Sequence, residues 1–223
     1  MVVRTITGDA AVAYGAMLAR AEVVPGFPIT PQTIIIEKIT EFINDGLMDA
    51  DFIPAESEHS VMSVAVGASA GGVRTFTATS SQGLALMYEM LFAAAPSRLP
   101  VVMAVANRSL GAASGIWTEH NDSQPVRESG WLQVYVEDNQ EALDMTIQAF
   151  RIAEDHRVML PIMVCLDGFI LSHVVEGVDI PERSIVDSFL PKFVPVNVLD
   201  PREPFMINPV TPPEFATEMR YQQ

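Results

Sequence analysis

Short runs rich in valine, isoleucine, phenylalanine and threonine alternate along this chain with longer stretches of helical spacing. Parallel strands need a crossover of a dozen or more residues between them, which a helix supplies. The alternation therefore predicts a doubly wound α/β fold, a mostly parallel sheet with helices on both faces. Expected strands fall at 2–6, 23–27, 51–54, 74–79, 100–106, 132–136 and 161–166. The helices between them carry start and stop signals. Asp9 reads as the cap of a helix reaching Ala21, and Thr30-Pro31 as the N-cap and first residue of one reaching Asn44, with Gly46 as its stop. Ser57 opens a helix that closes at Gly71-Gly72, and Ser80 or Ser81 opens another before Pro96. Asp138-x-x-Glu141 resembles a capping box ahead of Leu143, Ile147 and Phe150.

A chain of 223 residues has room for one or two domains at roughly 150 residues each. The expected division is an α/β domain over 1–180 and a Pro-rich, extended tail or linker over 181–223, where Pro181, Pro191, Pro195, Pro201, Pro204, Pro209, Pro212 and Pro213 interrupt any periodicity. The stretch 108–129 reads as a long loop, and such loops inside compact domains tend to be functional. Thirteen basic against 28 acidic residues leave a net charge of −15, so nothing general attracts this chain to nucleic acid or anionic lipid. Its most apolar segments, 83–96 and 99–106, are shorter than the roughly 20 residues of a membrane span. No signal peptide is read at the start. The single cysteine, Cys165, excludes an intrachain disulfide framework and an iron–sulfur cluster held by this chain alone. A reducing, cytoplasmic compartment is expected.

Walker, G-x-G-x-x-G, HExxH and CxxC patterns are absent from the sequence. Thr30 stands at an expected strand end and helix start, where open α/β sheets bind ligands, and reads either as a plain cap or as a carboxylate site. Glu56 and Glu58 flank Ser57 at another strand end, where carboxylates ordinarily complement the helix dipole. Arg108 closes a strand and reads as a surface ion-pair partner or as a bidentate ligand for a carboxylate at the edge shared with Thr30. Glu119, His120 and Asp122 are metal-ligand types, but their spacing matches no established site. Cys165 reads as a small core residue.

Phe27-Pro28-Ile29-Thr30-Pro31, Glu56-Ser57-Glu58-His59-Ser60, Thr77-Ala78-Thr79-Ser80-Ser81-Gln82-Gly83-Leu84, Ala104-Val105-Ala106-Asn107-Arg108 and Leu166-Asp167-Gly168-Phe169 occur in this order. Together they resemble the α subunit of the 2-oxoacid:ferredoxin oxidoreductases, the chain that binds the pyrimidine of thiamine diphosphate, and most of all its pyruvate (pyruvate synthase) branch. The resemblance runs through roughly residues 2–181. It implies oxidative decarboxylation of pyruvate with coenzyme A, giving acetyl-CoA and CO2, with electrons passed to ferredoxin and the reaction reversible. The same machinery acting on 2-oxoisovalerate or 2-oxoglutarate, or a non-catalytic scaffold subunit, are the alternatives.

By the same resemblance Glu58 is the glutamate that holds the pyrimidine N1′ and favours the imino tautomer that acts as base. Thr30 and Arg108 are ligands of the substrate carboxylate, and Pro28 and Ile29 line the cofactor. Phe27 replaces the family's usual tyrosine, and family α chains continue into a second α/β domain. The sequence has no Gly-Asp-Gly with a downstream asparagine. The diphosphate, Mg2+ and [4Fe-4S] clusters are accordingly expected on partners, namely a diphosphate-binding β subunit and ferredoxin-like and γ subunits, with no metal ligand here.

Overall fold

The structure is a computed structural model that describes residues 2–111, 115–196, 198–204, 206–207 and 210–222. Pro209 and part of the 108–129 stretch lie outside them. Its central strands are β2 (Val23–Gly26), β3 (Asp51–Pro54), β4 (Phe76–Thr79), β5 (Val102–Asn107), β6 (Leu132–Tyr135) and β7 (Ile162–Asp167). β4, β5, β7 and β6 pair in that order, all parallel, and β2 pairs in parallel with β3. A parallel bridge from Val23 to Thr75 joins the two groups. The spatial order is therefore β3-β2-β4-β5-β7-β6, and it reverses direction between β2 and β4, the place where such sheets open a ligand crevice.

Strand side chains alternate between the faces, as the two-residue period of a pleated strand requires. Val102, Ala104, Ala106, Ile162, Val164 and Leu166 enter one core, beneath α1 (Gly8–Leu18), α2 (Thr33–Asn44) and α6 (Asn139–Ala153). Met103, Val105, Met163 and Cys165 enter the other, with α3 (Glu58–Ala70), α4 (Ser81–Leu86), α5 (Tyr88–Ala94) and Trp131. Both faces are covered, so these strands read as nearly continuous apolar runs. The fully buried Phe150 contributes roughly 1.5–3 kcal/mol. Close packing of α1 on α6 depends on Gly15, where an added Cβ would lie 2.7 Å from the Thr146 Cβ.

Several expected boundaries shift for identifiable reasons. Thr7, not Asp9, caps α1, its hydroxyl accepting from the Ala10 N–H at 3.2 Å, which leaves Asp9 in the buried first turn. Gln32 rather than Thr30 stands at the N-cap of α2. Its side chain accepts from Ile29 N–H at 3.2 Å and donates to the Ala78 carbonyl at 3.1 Å, which fastens the 27–32 turn to β4 and delays the helix. Asp45 and the left-handed Gly46 (φ 70°) end α2 as expected. The single helix expected before Pro96 is two, parted at Met87. Asp138 caps α6 by accepting from Glu141 N–H at 2.7 Å, while Glu141 reaches back to the Glu137 N–H.

β8 (Val175–Ile180) was not foreseen and pairs antiparallel with β1 (Val2–Thr7), closing the expected 1–180 unit as a ribbon. Beyond it, α7 (Arg183–Phe189) interrupts the expected extended tail, as does α8 (Ala216–Gln222) after a turn at Pro213–Phe215. The tail crosses the start of β4, where Pro191 accepts from Arg74 at 3.0 Å, and Leu199 N–H bonds to the Ala70 carbonyl at the end of α3. These contacts lie at the amino ends of the sheet. Under the tail Arg74 forks onto Glu154, Nε to Oε1 at 2.5 Å and Nη2 to Oε2 at 2.6 Å, both side chains being buried.

Candidate active site

The carboxyl ends of β2, β3, β4 and β5 bring the expected site residues to one edge. Of the two glutamates beside Ser57, the helix start separates their roles. Ser57 caps α3 in an extended conformation, its hydroxyl accepting from Ser60 N–H at 3.3 Å. Glu56, before the cap, points to solvent and accepts from Ser60 Oγ at 2.6 Å, which lowers its pKa. Glu58, the first helical residue, turns inward and is 7% exposed. Among the described residues its carboxylate has no hydrogen-bond partner.

Glu58 lies against the turn between β4 and α4. A Cβ added to Gly83 would fall 2.8 Å from Glu58 Oε1 and in collision with Thr79 Oγ1, so only glycine leaves room for both. Thr79 Oγ1 and Ser80 Oγ in the same turn are buried and unpartnered among the described residues. A buried polar group left unsatisfied costs roughly 1–3 kcal/mol, so the unpartnered Glu58 carboxylate and Thr79 hydroxyl, which meet around Gly83, mark a place that a ligand or water completes.

Arg108 begins the loop after β5. Its Nη1 donates to the Thr30 carbonyl at 2.7 Å and its Nη2 to Gln82 Oε1 at 2.8 Å. Thr30 and Arg108, remote in sequence, thus meet directly, through the threonine's backbone oxygen. The Thr30 hydroxyl forms no hydrogen bond among the described residues, and the residue is exposed. The guanidinium's remaining N–H groups, apart from the buried and unpartnered Nε, stay available to an anion. Pro28 and Ile29 share the turn with Thr30. Pro28 lines an open cleft of about 750 Å3 between α2 and the β2–β3 edge, with Phe27, Ile36, Phe52 and Pro54. Neither Glu58 nor Arg108 lines that cleft.

The trio of metal-ligand types in the loop disperses. His120 Nε2 meets Asp167 Oδ1 at 2.8 Å, while Asp122 is buried and binds the Ser81 and Arg108 amides. Among the described residues no three His, Cys, Asp or Glu side chains converge as a metal site. Cys165 is enclosed in the core, and burial raises its thiol pKa. Gly67-Ala68-Ser69-Ala70-Gly71 spells the letters of a nucleophile elbow, but Ser69 is a buried helical residue at the end of α3 and not the tip of a strand-to-helix turn.

Gln82, Thr79, Ser80, Gly83 and Asp122 complete the site without having been assigned roles there from sequence. The signals for the first four are a small polar cluster directly after an apolar strand and their place in one of the blocks that carry the resemblance. Asp122 stands out in the sequence only as a metal-ligand type, because its actual partners are set by tertiary folding.

Fold and site together define an open parallel α/β domain with a ligand edge at the carboxyl ends of its strands, furnished with a buried unpaired carboxylate and an arginine. The family model described as pyruvate flavodoxin/ferredoxin oxidoreductase, thiamine diphosphate-binding, matches residues 14–223, and the chain belongs to that family. It is 54% identical over 222 residues to the pyruvate synthase subunit PorA of Methanothermobacter thermautotrophicus, with 100% of this chain and 58% of that protein covered. Identity to the PorA of Methanocaldococcus jannaschii is 55%, covering 99% of this chain and 57% of that one. The ketoisovalerate oxidoreductase subunit VorA of Pyrococcus horikoshii is 46% identical, covering 98% and 55%. A solved 2-oxoglutarate:ferredoxin oxidoreductase from Magnetococcus marinus superposes with a TM-score of 0.75 at 27% identity, over 82% of this chain and 32% of that one. The chain thus spans little more than half the length of the curated relatives it matches. No helix among the described residues is long and apolar enough to cross a membrane.

Proposed function

We propose that this chain forms the pyrimidine-side wall of a thiamine diphosphate site in a pyruvate:ferredoxin oxidoreductase. The enzyme would convert pyruvate and coenzyme A to acetyl-CoA and CO2 with electrons passed to ferredoxin, reversibly. The observation that carries this reading is Glu58, a buried carboxyl without a partner beside the unsatisfied Thr79 hydroxyl, with the unpartnered Ser80 hydroxyl in the next residue. That set fits the polar edge of an aminopyrimidine, which offers a ring nitrogen to a carboxylic acid and an amino group to hydroxyl acceptors. Thiamine diphosphate, when bound, supplies the nucleophilic carbon and the electron sink that decarboxylation of a 2-oxoacid requires.

The chain's own part in the chemistry follows from its side chains. Glu58 holds a proton at the pyrimidine nitrogen, and its enclosure keeps water from competing for it. Arg108, tied at both ends of its guanidinium by Thr30 and Gln82, presents its remaining N–H groups to the substrate carboxylate, with the Thr30 hydroxyl beside it. Pro28 and Ile29 hold the turn that carries Thr30. In this reading the diphosphate, Mg2+ and [4Fe-4S] clusters belong to partner subunits, a diphosphate-binding β subunit and ferredoxin-like and γ subunits. The single cysteine and the lack of a Gly-Asp-Gly motif support it.

Reconstitution of the complex with Glu58→Gln tests the proposal. Removal of a positioned acid is expected to lower kcat about 10^2–10^4-fold, whereas a scaffold subunit would leave it at the wild-type value. Initial rates of ferredoxin reduction across pyruvate, 2-oxoisovalerate and 2-oxoglutarate assign the substrate.

A further inference from the structure

Asp122 sits in the loop after β5, is 2% exposed, and joins two strand ends that sequence keeps far apart. Its Oδ2 accepts from the Ser81 N–H at 3.1 Å and from the Arg108 N–H at 3.0 Å. Its Oδ1 accepts from Asn107 Nδ2 at 2.7 Å. Ser81 is held in the left-handed region at φ 46°, a conformation unfavourable for a non-glycine residue that persists only where its surroundings enforce it. Its hydroxyl lies 2.6 Å from Gln82 Oε1, the atom that receives Arg108 Nη2. One buried carboxylate therefore fixes the backbone of the arginine and the backbone that carries the arginine's acceptor.

We propose that Asp122 is a positioning residue for substrate recognition: by gripping the Ser81 and Arg108 amides together it sets where the Arg108 guanidinium faces the 2-oxoacid carboxylate. This rests on the reading that Arg108 binds that carboxylate. The alternative is that Asp122 serves only to hold the fold.

The hydrogen-bond pattern around Asp122 supplies a test that separates the two. In Asp122→Asn, one oxygen still accepts from the two backbone amides, but the new NH2 group opposes the NH2 of Asn107, and turning the Asn107 amide over instead strands its NH2 in the buried place that its oxygen occupies. Asn107 Oδ1 is buried and unpartnered among the described residues. The exchange Asn107→Asp with Asp122→Asn restores a donor facing an acceptor and keeps the buried charge within the pair, and the Ser123 hydroxyl can reverse to donate to position 107.

In the reconstituted complex, Asp122→Asn is expected to raise KM for the 2-oxoacid on the order of tenfold. KM for coenzyme A and Kd for thiamine diphosphate should stay at their wild-type values, and the double variant should bring the 2-oxoacid KM back. An unchanged KM in the single variant, a parallel rise of all three constants, or a folded double variant that recovers nothing overturns the proposal. Should the single variant fail to assemble, Asp122 holds the fold and the positioning role is refuted. Arg108→Ala, measured alongside, tests the underlying reading. If it raises the 2-oxoacid KM while Asp122→Asn does not, only the Asp122 role fails; if it leaves KM unchanged, both fail.

Discussion

Gly83 gives the sharpest check on the placement of Glu58. An alanine Cβ there would lie 2.8 Å from Glu58 Oε1 and 3.0 Å from its Cγ, whereas ordinary contacts begin at 3.4 Å. The carboxylate must then retreat by about 0.6 Å, and Thr79 must turn its hydroxyl away. Misplacement by about 1 Å can cost about 10^2-fold in rate, so Gly83→Ala should lower kcat of the assembled enzyme roughly 10- to 100-fold. Stability should behave differently. Gly83 lies within α4 and has no positive φ, and alanine favours a helix by about 1 kcal/mol over glycine, which offsets the local crowding. The expected result is a slow enzyme with a Tm close to wild type, read from ferredoxin reduction and from thermal unfolding of the same preparation. A variant with undiminished kcat would show that Glu58 is not held to a working position by this turn, and would remove the main geometric support for its role.

Three further outcomes follow from the packing. Arg74→Met strips the buried Glu154 of both its charged hydrogen bonds, leaving Arg20 as the nearby charge, and should cost about 3–5 kcal/mol in denaturant unfolding; burial already raises the Glu154 pKa against the pull of Arg74 and Arg20, and a loss below about 1 kcal/mol would refute a structural role for the fork. Gly15→Val pushes α1 from α6 at Thr146 and should cost about 1–3 kcal/mol, checked by the urea midpoint, an unchanged midpoint refuting the close approach. Asp9 is buried without a hydrogen-bond partner, 3.8 Å from His173 Nδ1, and burial raises its pKa while lowering that of His173, so the histidine lends it no charge at neutral pH. The unfolded chain releases this proton first, from about pH 4. Stability should therefore fall as pH rises from there toward the folded pKa. Asp9→Asn should flatten that slope and raise stability at pH 7, and identical slopes in variant and wild type would refute the argument.

The fold was legible where local chemistry is decisive. Every expected parallel strand is present, since apolar runs of that length buried on both faces have few other solutions, and Ser57, Gly46 and Asp138 acted as the punctuation they resemble. The ribbon of β1 and β8 was half-missed because the 175–180 segment, Val175-Glu176-Gly177-Val178-Asp179-Ile180, is polar and contains glycine. It becomes a strand by lending its edge to β1. The cap expected at Thr30 falls at Gln32, because a Thr-Pro pair looks the same whether a helix starts there or a turn is being fastened to β4 by Gln32.

Residues alone determined that this chain is an open α/β domain with Thr30, Glu58 and Arg108 at strand ends, because hydrophobic period and turn residues act over a few positions and survive in any context. Tertiary structure decided which glutamate faces inward, that Arg108 is held by Gln82 and the Thr30 carbonyl, and that Asp122 ties two strand ends together. Those facts depend on hydrogen bonds between segments brought together only when the sheet assembles. A directional contact of about 3 Å between residues far apart in sequence leaves no trace in the pattern of either segment.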